Sequence, residues 1–177
     1  MAGSLIKIDE EIVTSAVASV TLGGADWDSS YDVYMIAISG WTCSVDNQAP
    51  FGRVTVSGTG QTTNYAGAQK NMFSTTSFSN GYYNSGIGTG DKFYFAEEIG
   101  TGTSEQCNFI IYCYNFNNSS EYSFVTYENV EWTASPRLVT RTGGGVHQST
   151  ETNDGMEFFM NSGNITGGTF TLYGLKK

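Results

Sequence analysis

The sequence predicts an all-β fold: an antiparallel β-sandwich, jelly-roll-like, with about nine or ten strands. Short apolar segments alternate in polarity with a period of two residues, which is the repeat of a strand. Clusters of Gly, Asn, Ser and Thr separate these segments, mostly every 8 to 12 residues or so. No long stretch repeats apolar residues with the spacing of an amphipathic helix. Together these three observations favour two packed sheets over any helical arrangement.

Length and composition fit a single domain over residues 1–177. The chain holds 11 Tyr, 11 Phe and 3 Trp, residue types that strands favour. Charged residues make up 14% and the net charge is −9. An acidic surface is repelled by phosphate backbones and by anionic lipids, so we expect neither nucleic acid nor a membrane as a partner.

The first half of the chain predicts strands at residues 16–22, 31–39 and 51–57. The second of these is apolar on both faces, which indicates that a neighbour or a partner covers each face. Residues 58–90 are less regular and predict long loops around one or two weak strands. In the two-faced strand, the alternating sets are Val33, Met35 and Ala37 against Tyr34, Ile36 and Ile38.

The second half predicts a hairpin and several shorter strands. The polar cluster at 115–120 lies between two apolar segments, so we expect a hairpin there. Gly143, Gly144 and Gly145 are predicted to end the strand that precedes them. The predicted strands are 93–96, 107–115, 122–130, 137–141, 156–160 and 169–175.

The cysteines and the N-terminus indicate a chain made in a cytoplasm. Cys43, Cys107 and Cys113 form an odd set without Cys-x-x-Cys spacing. The last two fall on one face of one strand and are predicted to be small core residues. The start of the chain turns acidic without a long apolar segment, so no signal peptide is predicted.

No catalytic residue, metal site or cofactor is predicted. His147 is the only histidine and falls in a predicted solvated loop. We therefore do not predict a Ser-His-Asp triad. One histidine and three scattered cysteines do not make a zinc site. Glu128 and Glu131 are the candidate carboxylate pair for glycoside hydrolysis, but outward-facing charge is the favoured interpretation.

Two loop features point to ligands more weakly. Asp26, Asp28 and Asp32 lie close together before a predicted strand. They could bind calcium or form a turn whose side chains bond to its own backbone, and we favour the turn. Four aromatic residues in or beside turns are candidates for stacking on glycans, since sugars pack against exposed rings. They are Trp41, Tyr82, Tyr83 and Trp132.

The C-terminal segment carries a resemblance to a known family. Residues 162–165 read Ser-Gly-Asn-Ile, and residues 168–176 read Gly-Thr-Phe-Thr-Leu-Tyr-Gly-Leu-Lys. This ending resembles that of virion structural proteins of marine tailed phages, notably of cyanophage type. Residues 5–34 and 100–122 are similar in part, whereas 41–90 are less so. The resemblance implies a virion component without enzyme activity, on the head or on the tail.

We therefore expect a non-enzymatic structural protein on the surface of a tailed-phage virion, as capsid decoration, cement or tail component. It would be made in the host cytoplasm and bind other virion proteins and its own copies, as a trimer by analogy with phage symmetry. The alternative is a tail-associated module that binds a host receptor or host-surface glycan, and a carbohydrate-active enzyme is a third hypothesis. Thr169, Thr171 and Tyr173 are the candidate assembly edge in the final strand.

Overall fold

The computed structural model describes residues 4–75, 77–83 and 90–176, apart from the side chains of residues 82, 83 and 176. Within these residues thirteen strands and one short 3₁₀ helix, Gly24–Asp26, are present. The strands are β1 (Ser4–Val13), β2 (Ser19–Gly23), β3 (Val33–Cys43), β4 (Pro50–Val56), β5 (Thr59–Gly60), β6 (Tyr65–Phe73), β7 (Phe78–Tyr83), β8 (Phe93–Tyr94), β9 (Cys107–Tyr114), β10 (Ser123–Trp132), β11 (Leu138–His147), β12 (Gly155–Met160) and β13 (Ile165–Lys176).

The strands form two antiparallel sheets that pack face to face, so the predicted β-sandwich is confirmed. The large sheet has eight strands in the order β1-β13-β3-β9-β10-β11-β6-β7. The small sheet has five, with β2-β12-β4-β5 in line and β8 also paired with β4. The described residues form thirteen strands, whereas nine or ten were predicted. Part of the difference comes from β5, which is two residues long and too short to be recognised in the sequence.

The strand order combines pairs of consecutive strands with crossovers between the sheets. Consecutive strands pair in β4–β5, β6–β7 and β9–β10–β11. The chain passes from one sheet to the other at several points, including between β3 and β4, between β5 and β6, and on either side of β12. The β9–β10 hairpin is inserted between β3 and β11, and β13 and β1 extend the large sheet beyond β3.

The core lies between the sheets and is built by alternate residues of each strand. In β3, Tyr34, Ile36 and Ile38 are buried, whereas the residues between them are only partly covered. Trp41 is fully buried, and its ring packs edge-on against Phe109, Phe158 and Phe170. Cys107 and Cys113 are also fully buried with free thiols, as predicted.

Three strands differ from the prediction for identifiable reasons. A bulge between Lys7 and Asp9 hides the alternation of β1, which lies at the sheet edge. In β6 the inward positions include Gln69 and Asn71, whose side chains form a 2.9 Å hydrogen bond with each other. Because these inward residues are polar, the sequence of this nine-residue strand resembles that of a loop. β11 continues through the three glycines to His147 instead of ending before them.

The glycines of β11 are required by packing. A Cβ added at Gly143 would lie 2.7 Å from the Tyr127 ring, which crosses the strand at that point. The hydroxyl of Tyr127 reaches Gln69 Oε1 at 2.6 Å on the next strand. Glycine therefore serves here for close approach of a neighbouring ring and does not end the strand.

Candidate interaction face

The outward-pointing side chains of the large sheet form an apolar surface, which we call the large-sheet face. Strand β10 alternates strictly between buried and exposed residues, and its neighbours are in register with it. Ile110 is 45% exposed and Phe124 44%, although both lie on interior strands of the sheet and not on an edge strand. The exposed large apolar residues of this face are Ile110, Tyr112, Phe124, Val130, Trp132 and Leu138 in the centre, with Leu5, Ile12, Met72, Phe78 and Leu175 toward the sides.

The sequence signal for this surface was the pair of strands with two apolar faces, β3 and β9. The sandwich covers one face of each strand, and nothing in the described chain covers the other. A shallow groove runs across the uncovered side, bordered by Ala37, Ile110 and Tyr173. The predicted cover on both faces is thus found on one face only within a single copy.

Charges on the large-sheet face are few and arranged in a definite way. Lys7 and Glu10 pair with each other at 3.1 Å on the outermost strand. Glu128 on β10 and Lys70 on β6 point outward from the same row of the sheet, since both are in register with Thr142 of β11. Among the described residues, neither Glu128 nor Lys70 makes an ion pair, although the ammonium of Lys70 lies 5.5 Å from the centre of the Phe78 ring.

The outer face of the small sheet is different in character. Arg53 lies over the Phe159 ring at 4.5 Å, and its guanidinium is 3.5 Å from Asp91. Lys92 pairs with the same carboxylate at 2.8 Å and also lies over the Phe51 ring. Cations cover the aromatic rings on this side, so apolar surface is concentrated on the other sheet.

The candidate assembly edge requires a correction. Strand β13 is not an edge, because β1 pairs with it on one side and β3 on the other, so its main chain is already bonded. Thr169, Thr171 and Tyr173 instead point outward onto the large-sheet face, where they line the groove. The hydroxyl of Thr171 donates to Glu10 at 3.2 Å. The edges of the large sheet are β1 and β7.

Of the four candidate glycan-stacking residues, one is excluded and one stays available. Trp41 is fully buried, so no ligand can stack on it while the chain is folded. Trp132 is 42% exposed and lies beside Leu138 on the large-sheet face. The side chains of Tyr82 and Tyr83 lie outside the described part of the structure, which places only their backbone, in β7.

Glu128 and Glu131 do not form a carboxylate pair, and the interpretation of both as surface charge is wrong for Glu131. They point to opposite faces of β10, since three positions separate them on a strand. Glu131 is buried and bonds to the buried guanidinium of Arg141, which also lies 3.7 Å from Glu97. Burial raises the pKa of Glu131 to about 7, although Arg141 acts in the opposite direction. The pair belongs to the core.

His147 is not a solvated loop residue, because it ends β11 with its ring buried against Tyr65. Nδ1 of His147 lies 3.7 Å from the Glu151 carboxylate, and Ser123 is its register partner on β10. Ser123 is fully buried, and its hydroxyl accepts a 2.6 Å hydrogen bond from Asn153. A nucleophile at this position would be closed to substrate, so the cluster is structural.

Acid is expected to weaken the fold through His147. Burial lowers the pKa of His147 from 6.5 to about 4, so the folded state disfavours the protonated ring. The contribution to stability is present above pH 6.5 and is lost as the pH falls toward 4, by up to about 3 kcal/mol. We expect the difference in unfolding free energy between the wild type and His147→Gln to change by about 2 kcal/mol between pH 7 and pH 4.5 in urea titrations. A difference that is constant with pH would contradict it.

The acidic turn after β2 bonds to its own backbone. The carboxylate of Asp28 accepts a 2.8 Å hydrogen bond from the amide of Ser30, which lowers the pKa of Asp28. Among the residues that the structure describes, no three His, Cys, Asp or Glu side chains are placed to hold a metal ion. The same residues contain no helix long and apolar enough to span a bilayer.

Comparisons of the chain with family models, with curated proteins and with solved structures gave no significant match.

Proposed function

We propose that this protein is a non-enzymatic structural component of a tailed-phage virion that joins the particle surface through its large-sheet face. The observation that carries the proposal is the apolar character of that face in the middle of an eight-stranded sheet. Folded monomers rarely leave contiguous apolar patches of more than a few hundred Å² in water. A permanent partner would bury these side chains and stabilise the assembly.

Two further features support the proposal. The C-terminal resemblance to virion structural proteins falls on β13, in the same sheet as the apolar face. The groups most often used in catalysis are also withdrawn from solvent, since His147, Glu131 and the Cys107 thiol are buried. An apolar binding face, with these groups buried, suits a particle component, as capsid decoration, cement or part of the tail.

The first test is the composition of the particle. Virions of the phage that encodes this chain, purified by density gradient, should contain the protein in many copies when digested and analysed by mass spectrometry. A low-resolution map of the same particles would assign the copies to head or tail. The proposal would be overturned if the protein were absent from virions whose other proteins are the same in every preparation.

Substituting Phe124→Asp is expected to abolish binding to particles assembled without the protein. Phe124 is 44% exposed near the start of β10, a central strand of the large-sheet face, so a carboxylate there would be buried without a partner on assembly. Co-sedimentation of purified variants with such particles measures the effect, and we expect at least a tenfold weaker binding. Circular dichroism and thermal melting confirm that the variant is folded.

Val45→Asp serves as the matched control. Val45 is 38% exposed but lies in the connection after β3, outside the large-sheet face. It should bind particles as the wild type does. Equal loss of binding in both variants would show that added negative charge, and not the face, is responsible.

The glycan-binding alternative has less support. Of the four aromatic residues proposed for stacking, Trp41 is buried and Trp132 is the one with a described, exposed ring. Trp132 lies within the face that we assign to assembly, where a partner would cover it.

A further inference from the structure

We infer that the large-sheet face binds a second copy of this chain, related by a two-fold axis along β11, with Lys70 of each copy paired to Glu128 of the other. This inference rests on the proposed function in so far as the face is an interface. It assigns the part of the face from β9 to β7 to a second copy, which leaves the part on β3, β13 and β1 for the particle. It predicts two identical ion pairs per dimer, one on each side of the axis.

The positions of the two charges are the first argument. Glu128 and Lys70 lie on β10 and β6, the two strands that flank β11. Both are in register with Thr142, so they lie in one row, each displaced by one strand spacing of about 4.8 Å from the centre. They have opposite sign, and neither makes an ion pair among residues 4–75, 77–83 and 90–176.

A two-fold axis converts this arrangement into complementarity. When the axis runs along β11 through Thr142, the rotation exchanges the two sides of that strand and turns the sheet over. Glu128 of one copy then faces Lys70 of the other, and the second pair forms by symmetry. Stacked sheets cross at about 30°, which shifts groups this close to the axis by only about 2–3 Å.

The steric fit is the second argument. The outward positions of β11 at the axis are small, with Thr140, Thr142 and Gly144 in sequence. Bulkier side chains stand on either side, such as Phe124 and Val130 on β10 and Met72 on β6. Face-to-face sheets pack about 10 Å apart, which a lysine and a glutamate together span.

The size of the face is the third argument. An axis along β11 places five strands of each copy opposite one another, from β9 to β7, because only two strands lie on the β7 side of β11. Five strands spaced at about 4.8 Å are about 24 Å wide, and four outward rows cover about 26 Å along the strands. The overlap is on the order of 600 Å² per copy and about 1,200 Å² in total, which is the lower end of the range for specific interfaces.

Charge distribution does not oppose the contact. The net charge of −9 would make two copies repel, but among the described residues the strands of the large-sheet face point two carboxylates outward, Glu10 and Glu128, against Lys7 and Lys70. Burying an ion pair contributes little affinity by itself, yet it fixes orientation because a shifted or rotated copy would leave charges unpaired. The pairs thus select this two-fold arrangement.

A charge exchange tests the contact. Sedimentation velocity of the wild type at about 50 μM should give a dimer of the 19.1 kDa chain. Glu128→Lys and Lys70→Glu each place like charges across both symmetric contacts, and we expect each to raise the dimer dissociation constant at least tenfold. The double variant exchanges the two charges and should restore the dimer to within about threefold of the wild type.

Controls exclude general charge effects and unfolding. Asp26→Lys makes the same charge change as Glu128→Lys on an exposed carboxylate in the connection between β2 and β3, and it should leave the dimer unchanged. Both exchanged residues are solvent-exposed, so thermal melting should show the variants folded.

The outcomes separate this inference from the proposed function. A wild type that is monomeric at 50 μM, or a trimer by mass, overturns the dimer whatever the particles contain. A double variant that stays as weak as the single variants overturns the Lys70–Glu128 contact. Binding of a monomeric wild type to particles, with loss in Phe124→Asp, would leave the proposed function standing and show that another virion protein is the partner.

Discussion

Replacing Arg141 with methionine should lower the free energy of unfolding by about 3–5 kcal/mol at pH 8, because it leaves a buried carboxylate without its partner. The side chains of Arg141 and Glu131 are 1% and 0% exposed. The side-chain amide of Asn129 donates a 3.1 Å hydrogen bond to the second carboxylate oxygen of Glu131. This neutral amide cannot replace the positive charge of the guanidinium. Urea denaturation followed by tryptophan fluorescence measures the loss.

The pH dependence of this loss identifies its cause. Burial raises the pKa of Glu131 to about 7 even beside Arg141, and without the cation the pKa should rise further. A raised carboxyl pKa contributes stability below about pH 4.5 that is lost as the pH rises through the folded-state value. The Arg141→Met penalty should therefore be smaller at pH 5 than at pH 8, whereas a simple packing defect would cost the same at both.

Two variants provide matched controls. Arg137→Met removes a similar ion pair with Glu98, but both of those side chains are about one-third exposed, so we expect a loss of about 1 kcal/mol or less. The double variant Glu131→Met with Arg141→Met removes both charges and should recover most of the stability. If the double variant is as unstable as Arg141→Met alone, packing around the guanidinium is the cause.

The fold could be predicted wherever polarity alternated without interruption. Strands β3 and β9 have apolar residues at their inward positions, and the turn between β9 and β10 contains Asn and Ser. The prediction was wrong where the core itself is polar or glycine-rich. Gln69 is buried in β6 because Tyr127 bonds to it, and Gly143 stands beside the same ring. Both facts depend on contacts between strands distant in sequence.

The candidate site was predictable only in outline. Apolar residues on both faces of β3 and β9 predicted that each face is covered by a neighbour or a partner, and the structure shows that the outer face is uncovered by the described residues. The relation between Lys70 and Glu128 could not be read from the sequence, since 58 positions separate them and strand register alone brings them into one row. For the same reason the sequence predicted Glu131 as surface charge, because its partner Arg141 lies diagonally across from it on β11.

Trp41→Ala should cost about 3–5 kcal/mol of stability, the usual loss for a fully buried aromatic residue. Its ring lies 5.1 to 5.9 Å from three phenylalanine rings contributed by both sheets, so truncation opens a cavity in the centre of the sandwich. Thermal melting and urea titration should both show the loss. Trp132→Ala, on the exposed face, should cost about 1 kcal/mol or less.

The contrast between these two tryptophans decides how any binding defect is interpreted. A glycan or particle that no longer binds Trp41→Ala would report a weakened fold, because the ring is closed to ligands in the native state. Loss of binding in Trp132→Ala at unchanged melting temperature would instead report a contact on the large-sheet face. If Trp41→Ala melts like the wild type, the ring is not enclosed between the two sheets, and the packing from which the large-sheet face was deduced is wrong.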